Sequence, residues 1–250
     1  MIVALDIDAG NTRIKWRLRE NEVVTRRGDV LCEDFSAEQF AAQMGMVPDQ
    51  VNLCSVAQPA IIESFRNLCR RWDSNLFEAQ TCPHQAGVTC GYTNHHALGV
   101  DRWMAILAAF HRAKGASTVV DAGSAITIDM VAGNGMHLGG YIVPGYRMLC
   151  QALSGGTAQV RPEDPTGVSL QPGRSTAEAV NHGIMGMIKG LVDGVISAPG
   201  RREESINLYL TGGDAPLLAN LLGPAWEVIP DLVLDGLTLA SREFRMGNYG

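Results

Sequence analysis

The sequence predicts an α/β protein built from two duplicated domains, each with a mixed sheet. Three patterns predict it. A nearly continuous apolar run from Ile2 to Ile7 ends in Asp8-Ala9-Gly10; Ile14, Trp16 and Leu18 then alternate with Arg13, Lys15, Arg17 and Arg19, as in a buried strand and a half-exposed return strand. From Glu22 to Ala79 strand-like and helix-like segments alternate, the order expected of an α/β unit. Thr118-Val119-Val120 then runs into Asp121-Ala122-Gly123, and an alternating segment returns through Val131, so the opening pattern recurs. Asp8 and Asp121 lie 113 positions apart (121 minus 8), close to half of the 250 residues. This spacing sets a boundary near Gly115 and gives domains 1–115 and 116–250.

Each element follows from its local pattern. Glu22–Arg26 reads as a third strand, with Gly28 to Leu31 as its turn and continuation. Ser36 is a helix N-cap with Gln39 three residues on. Val51–Val56 is a strand, and Pro59 opens a helix with Ile62, Phe65, Leu68 and Trp72 on one face. Leu76–Ala79 is a strand, and a loop from Thr81 to Leu98 leads into a helix starting around Asp101. In the second half Asn134-Gly135 is a hairpin turn, a strand enters Gly139–Gly145, and a helix runs to about Leu153. Residues 154–173 form a Gly- and Pro-rich loop. Ser175-Thr176-Ala177-Glu178 is a capping box that opens a long helix through Val195. Ile206–Leu210 is a strand ending in Thr211-Gly212-Gly213-Asp214-Ala215 before a helix near Pro216.

Composition narrows the function classes. The net charge is −6 and Arg26-Arg27, Arg70-Arg71 and Arg201-Arg202 are isolated pairs, so no basic tract tracks a nucleic acid. The longest apolar helical stretch, Trp103 to Phe110, is too short to span a bilayer, and the apolar start is broken by Asp6 with no basic region before it. Neither a nucleic-acid partner nor a membrane is expected. Six cysteines without a C-x-x-C pair read as buried cytoplasmic thiols. Cys82, His84, Cys90, His95 and His96 fall close together, but their spacing matches no usual ligand set and Pro83, Gly87 and Gly91 mark a surface loop.

The two turns carry candidate chemistry. Gly10 lets the backbone approach a ligand, and neighbouring amides, Asn11, Thr12 and Lys15 can donate to phosphate oxygens, while Asp8 can hold magnesium. The same residues also suit an ordinary tight turn. Asp101 and Arg102 at a helix start are either an N-cap with a surface arginine or a carboxylate and cation held at a cleft. The Gly212-Gly213 pair suits close approach of a flat or anionic ligand, or a plain left-handed turn. Taken together, two carboxylate-glycine-hydroxyl hairpins and a glycine-rich strand-to-helix turn are the parts needed to clamp a nucleotide between two domains. No G-x-x-x-x-G-K-[ST] sequence offers a competing phosphate site.

The motifs resemble, in order and nearly end to end, those of type III pantothenate kinases, relatives of acetate and sugar kinases, heat-shock chaperones and actin. Asp8-Ala9-Gly10-Asn11-Thr12-Arg13-Ile14-Lys15 is similar to the first phosphate motif, and Gly99-Val100-Asp101-Arg102 to the substrate motif. Asp121 to Thr127 is similar to the second phosphate motif, Gly139 to Gly145 to the G-G-x-I-x-P-G motif, and Thr211 to Ala215 to the adenosine-side turn. The resemblance implies two actin-like (ribonuclease H-like) domains with a nucleotide cleft between them. It also implies ATP-dependent phosphorylation of pantothenate to 4′-phosphopantothenate by a cytoplasmic homodimer. It assigns ATP and its Mg2+ to Asp8 through Lys15 with Ser124, Gly212 and Gly213, and the monovalent cation, K+ or NH4+, to Asp121. Asp101 becomes the proton acceptor; Tyr92, Gly99, Val100 and Arg102 form the pantothenate pocket, and Thr176 reaches the partner subunit's pocket. Arg102 can pair with Asp101 or with the substrate carboxylate. Ser124 stands where the family carries threonine, and His95 where relatives often carry proline. Two other readings remain open: a kinase for another small hydroxy acid, and a non-catalytic regulator like the Bvg accessory factors. The second accords less well with the retention of Asp8, Lys15, Asp101 and Asp121.

Overall fold

The computed structural model describes residues 2–156, 168–198 and 205–247. They form two compact units, Met1–Arg112 with Asp231–Gly250, and Ala113–Pro230.

In the first unit β1 (Val3–Ala9), β2 (Arg13–Glu20) and β3 (Val23–Leu31) make an antiparallel meander. α1 (Ala37–Met44) follows, started by Ser36, whose hydroxyl accepts from the Gln39 amide, and closed by Arg26, which donates to the carbonyls of Gln43 and Met44. β4 (Gln50–Ser55), α2 (Pro59–Trp72) and β5 (Asn75–Glu78) complete a sheet of order β3-β2-β1-β4-β5, with β4 parallel to both neighbours. A short hairpin, β6 (His84–Gln85) and β7 (Val88–Thr89), lies inside the expected loop, and α3 (Val100–Ala113) follows.

The second unit repeats the plan. β8 (Ser117–Ala122), β9 (Ala125–Val131) and β10 (His137–Pro144) are antiparallel. α4 (Tyr146–Gly156) and α5 (Thr176–Ile196) precede β11 (Asn207–Thr211), α6 (Ala215–Leu222) and β12 (Trp226–Val228), which finish a sheet of order β10-β9-β8-β11-β12. Matching strand orders in the two sheets are the duplication that the repeated turns predict. The expected 154–173 loop starts later, because α4 runs to Gly156; its residues 157–167 lie outside those described.

Sheet one has two unlike faces. Leu5, Ile7, Ile14, Trp16, Leu18, Val51 and Leu53 pack against α1 and α2 as an apolar core. On the opposite face the period-two rule places Asp6, Asp8, Lys15, Arg17, Arg19, Asn52 and Cys54. Arg17 and Arg19 were expected on a half-exposed strand, but each is only 5% exposed. The reason is α7 (Leu232–Gly247), for which the sequence patterns gave no expectation. It covers this face, so residues from 231 onward group with the first unit and not with a 116–250 domain.

Counter-charge makes that cover possible. Asp6, fully buried, accepts from Arg17 Nε at 3.0 Å, Arg19 Nε at 2.7 Å, Asn52 Nδ2 at 2.6 Å and Thr238 Oγ1 at 3.0 Å. Arg17 also reaches Asp235 Oδ1 at 2.6 Å and the Leu234 carbonyl at 2.8 Å. Burial by itself would raise the Asp6 carboxyl, but the Arg19 hydrogen bond and charge, with Asn52 and Arg17, outweigh it and hold the carboxyl below its ordinary 3.8. Close backbone packing completes the join: a methyl on Gly236 would lie 1.8 Å from the Met104 carbonyl oxygen in α3.

Gly28 is not a turn. It sits within β3 opposite Trp16, whose ring occupies the space a Cβ would need, at 2.6 Å. Among the described residues no helix is long and apolar enough to cross a membrane.

Candidate active site

The first hairpin is closed by Gly10 N–H donating to the Arg13 carbonyl at 3.0 Å. Its register pairs Ala9 with Ile14 and Asp8 with Lys15, which puts the carboxylate and the ammonium-bearing residue opposite each other on one face. Both are half-buried, whereas Asn11 and Thr12 are exposed at the tip. Ala9 and Ile14 are core residues, so only their backbone is offered to a ligand; the Ala9 carbonyl accepts from Val56 N–H at 3.0 Å. Arg13 pairs with Asp29 of β3.

The substrate motif opens α3. The Gly99 carbonyl accepts from Trp103 N–H at 3.0 Å, and Asp101 Oδ1 accepts from the Arg102 amide at 2.8 Å. A Cβ on Gly99 would stand 2.7 Å from that Asp101 oxygen, so the glycine clears room for the carboxylate. Val100 is half-buried beside it. Arg102 is buried; it donates to the Tyr92 hydroxyl at 3.1 Å, with its guanidinium carbon 5.7 Å from the ring centroid. The loop bearing Tyr92 is held from behind: Trp103 Nε1 donates to Gln85 at 2.9 Å, and the Ala86 amide donates to Glu243 of α7 at 3.0 Å.

Cys54, which the sequence did not single out, is buried beside the first motif. It is the register neighbour of Asp8 on β4. Its thiol is pushed well above its ordinary 9.0, first by burial and then by the negative charges of Asp8 and Asp101.

In the second unit the same turn recurs. Gly123 N–H donates to the Ala125 carbonyl at 3.0 Å, Asp121 is half-buried and Ser124 is exposed. Two further glycine motifs brace it. Gly145 N–H donates to the Ser124 carbonyl at 3.0 Å, and a Cβ there would strike that oxygen at 2.4 Å. Gly212, at φ +95°, lies where a Cβ would be 2.3 Å from the Ala122 carbonyl and 2.5 Å from Asp121 Oδ1. The Asp214 amide donates to the Ala122 carbonyl at 2.9 Å, and burial raises the Asp214 carboxyl from its ordinary 3.8 against the opposing charge of Arg147. Gly213 is exposed. Asp121, Ser124, Gly145 and Gly212, distant in sequence, therefore form one cluster. Thr176 lies apart from that cluster in sequence, exposed in the first turn of α5, while the Ser175 hydroxyl caps the helix by accepting from Glu178 N–H at 3.2 Å. That settles which of the two hydroxyls does the capping.

A family model described as type III pantothenate kinase matches residues 4–198. The chain belongs to that family. The type III pantothenate kinase of Chromohalobacter salexigens is 38% identical over 239 residues, covering 93% of this chain and 85% of that one. The one from Pseudomonas aeruginosa is 37% identical over 243 residues, covering 94% and 98%. Among solved structures, a Campylobacter jejuni protein described as a Baf family transcriptional activator shares the fold, with a TM-score of 0.64, 23% identity and coverage of 97% and 99%. The fold is the actin-like α/β fold.

Proposed function

We propose that this family member transfers the γ-phosphoryl group of ATP to pantothenate, giving 4′-phosphopantothenate on the way to coenzyme A, with Asp101 as the residue that receives the substrate hydroxyl. The observation that carries this reading is the start of α3, where Gly99 leaves room for the Asp101 carboxylate next to the buried Arg102, which donates to the Tyr92 hydroxyl at 3.1 Å.

The transition state is loose, so orientation matters more than early deprotonation. Asp101 accepts a hydrogen bond from the primary alcohol and takes its proton late. Arg102, held by Tyr92, shapes the acceptor pocket with Gly99 and Val100, and its fork suits the pantothenate carboxylate. In the first unit we assign Lys15, Asn11 and Thr12 to phosphate oxygens; in the second we assign the Ser124 hydroxyl to phosphate, with Gly212 and Gly213 as the adenosine-side turn. Asp8, a hard oxygen donor at a strand end, fits magnesium, which when bound with ATP neutralises phosphate charge. Asp121 is the donor we assign to the monovalent cation, potassium or ammonium.

We assign a homodimer to α5. Gly183, Gly186, Gly190 and Gly194 are exposed on this helix with Met187, and among the described residues a Cβ at any of the four meets nothing within 4 Å. Glycine in a helix costs about 1 kcal/mol relative to alanine, so four of them on one open face suit close crossing by a second copy. Six cysteines with no C-x-x-C pair among them suit the reducing cytoplasm.

The test is a coupled assay of purified protein with ATP, magnesium and potassium or ammonium, comparing pantothenate with other hydroxy acids. ADP release confined to pantothenate is expected. Release with another hydroxy acid instead reassigns the acceptor, and none with any acceptor leaves a regulatory protein.

A further inference from the structure

We propose that Cys32 is a positioning residue for the first phosphate hairpin, setting the plane of the Gly10–Asn11 peptide so that the Asn11 amide faces the nucleotide. Cys32 follows directly on β3 and touches the hairpin tip twice. Its amide donates to the Thr12 carbonyl at 2.9 Å, and its thiol donates to the Gly10 carbonyl at 3.3 Å. The β1–β2 register ends at the Ala9–Ile14 pair, so Asn11 and Thr12 lie beyond the ladder that orders the strands. A peptide unit is planar and trans, and its C=O and N–H point in opposite directions. Drawing the Gly10 oxygen toward Cys32 therefore aims the Asn11 N–H to the other side of the turn. An amide fixed before the ligand arrives stabilises phosphate without first having to reorient. Burial pushes the Cys32 thiol above its ordinary 9.0, which keeps the proton on sulfur as a donor at neutral pH.

This inference rests on the reading that the hairpin binds ATP, and the experiment separates the two. KM for ATP and for pantothenate, ATP binding by equilibrium titration, and thermal midpoints are measured for Cys32→Ala, Cys32→Ser and Lys15→Ala. Cys32→Ala is expected to raise the ATP KM about three- to tenfold, as loss of one modest hydrogen bond would, with the pantothenate KM unmoved. Cys32→Ser, which keeps a donor, is expected to recover most of that loss. A purely structural role would move the thermal midpoint and both KM values together. The proposal is overturned if Cys32→Ala leaves the ATP KM unchanged while Lys15→Ala raises it, or if serine does no better than alanine. If Lys15→Ala also leaves ATP binding unchanged, the hairpin is not the phosphate site and both readings fall.

Discussion

Arg17 in the second strand donates to Asp235 in the last helix at 2.6 Å, a contact that joins residues 218 positions apart. The same guanidinium meets the fully buried Asp6, so α7 is fixed to the sheet by an ionic network as well as by apolar packing. Breaking a buried ion pair from one side leaves an uncompensated charge. Asp6→Asn should therefore destabilise the chain by about 3–5 kcal/mol. Asp235→Asn, at a side chain that is 44% exposed, should cost about 1 kcal/mol. Urea denaturation of both variants checks this, and equal losses would show that Asp6 is not the centre of the network.

Acid stability should carry the signature of Asp6. Its carboxyl titrates below 3.8 in the folded chain, so as pH falls the unfolded chain takes up the proton first. The stabilisation from ionised Asp6 is complete well above pH 4 and is lost as pH falls below about 4 toward the lower folded value. Urea midpoints followed from pH 6 to pH 2.5 should drop over that acid range. The part of the drop due to this group should be missing in Asp6→Asn.

Two glycine substitutions should act in opposite directions. Gly236→Ala forces a methyl against the Met104 backbone and should cost at least about 1–3 kcal/mol. Gly190→Ala meets no atom of the described residues within 4 Å and should gain up to about 1 kcal/mol of helix stability. It should also weaken the proposed dimer. Thermal midpoints and sedimentation velocity separate these effects; an unchanged dimer in Gly190→Ala would argue against α5 as the interface.

Asp101→Asn keeps the shape of the acceptor site and removes the base. Turnover should fall about 10²- to 10⁴-fold, while ATP affinity measured by titration should stay close to that of the parent chain. Near-normal turnover would sink the assignment.

The succession of strands and helices and the two hairpins were legible because they rest on local signals: alternation, caps and repeated Asp-Ala-Gly turns. Pro59 opening α2 and Ser36 and Ser175 capping their helices are cases of this kind. The burial of Arg17 and Arg19 was not legible. A period-two pattern tells which face carries charge but not whether a segment from the far end of the chain brings counter-charge to cover it. Gly28 was misread for a related reason, because the Trp16 ring that requires a glycine there belongs to the neighbouring strand. In the site, glycine, hydroxyl and carboxylate types pointed to phosphate chemistry. Cys54 and Cys32 carried no such signal, since their roles come from register and turn geometry that only the folded backbone supplies.

The return of residues 231–247 to the first unit has a consequence for synthesis. The strand that carries Asp6 leaves the ribosome 225 positions (231 minus 6) ahead of the segment that seals Asp6 and Arg17 from water. The first sheet must wait, its charged face still wet, until residues 231–247 have been made. A ribosome stalled before codon 231 would thus hold an unfinished first unit even after every residue of the second had been made, and a carboxy-terminal truncation would injure the beginning of the protein more than its middle.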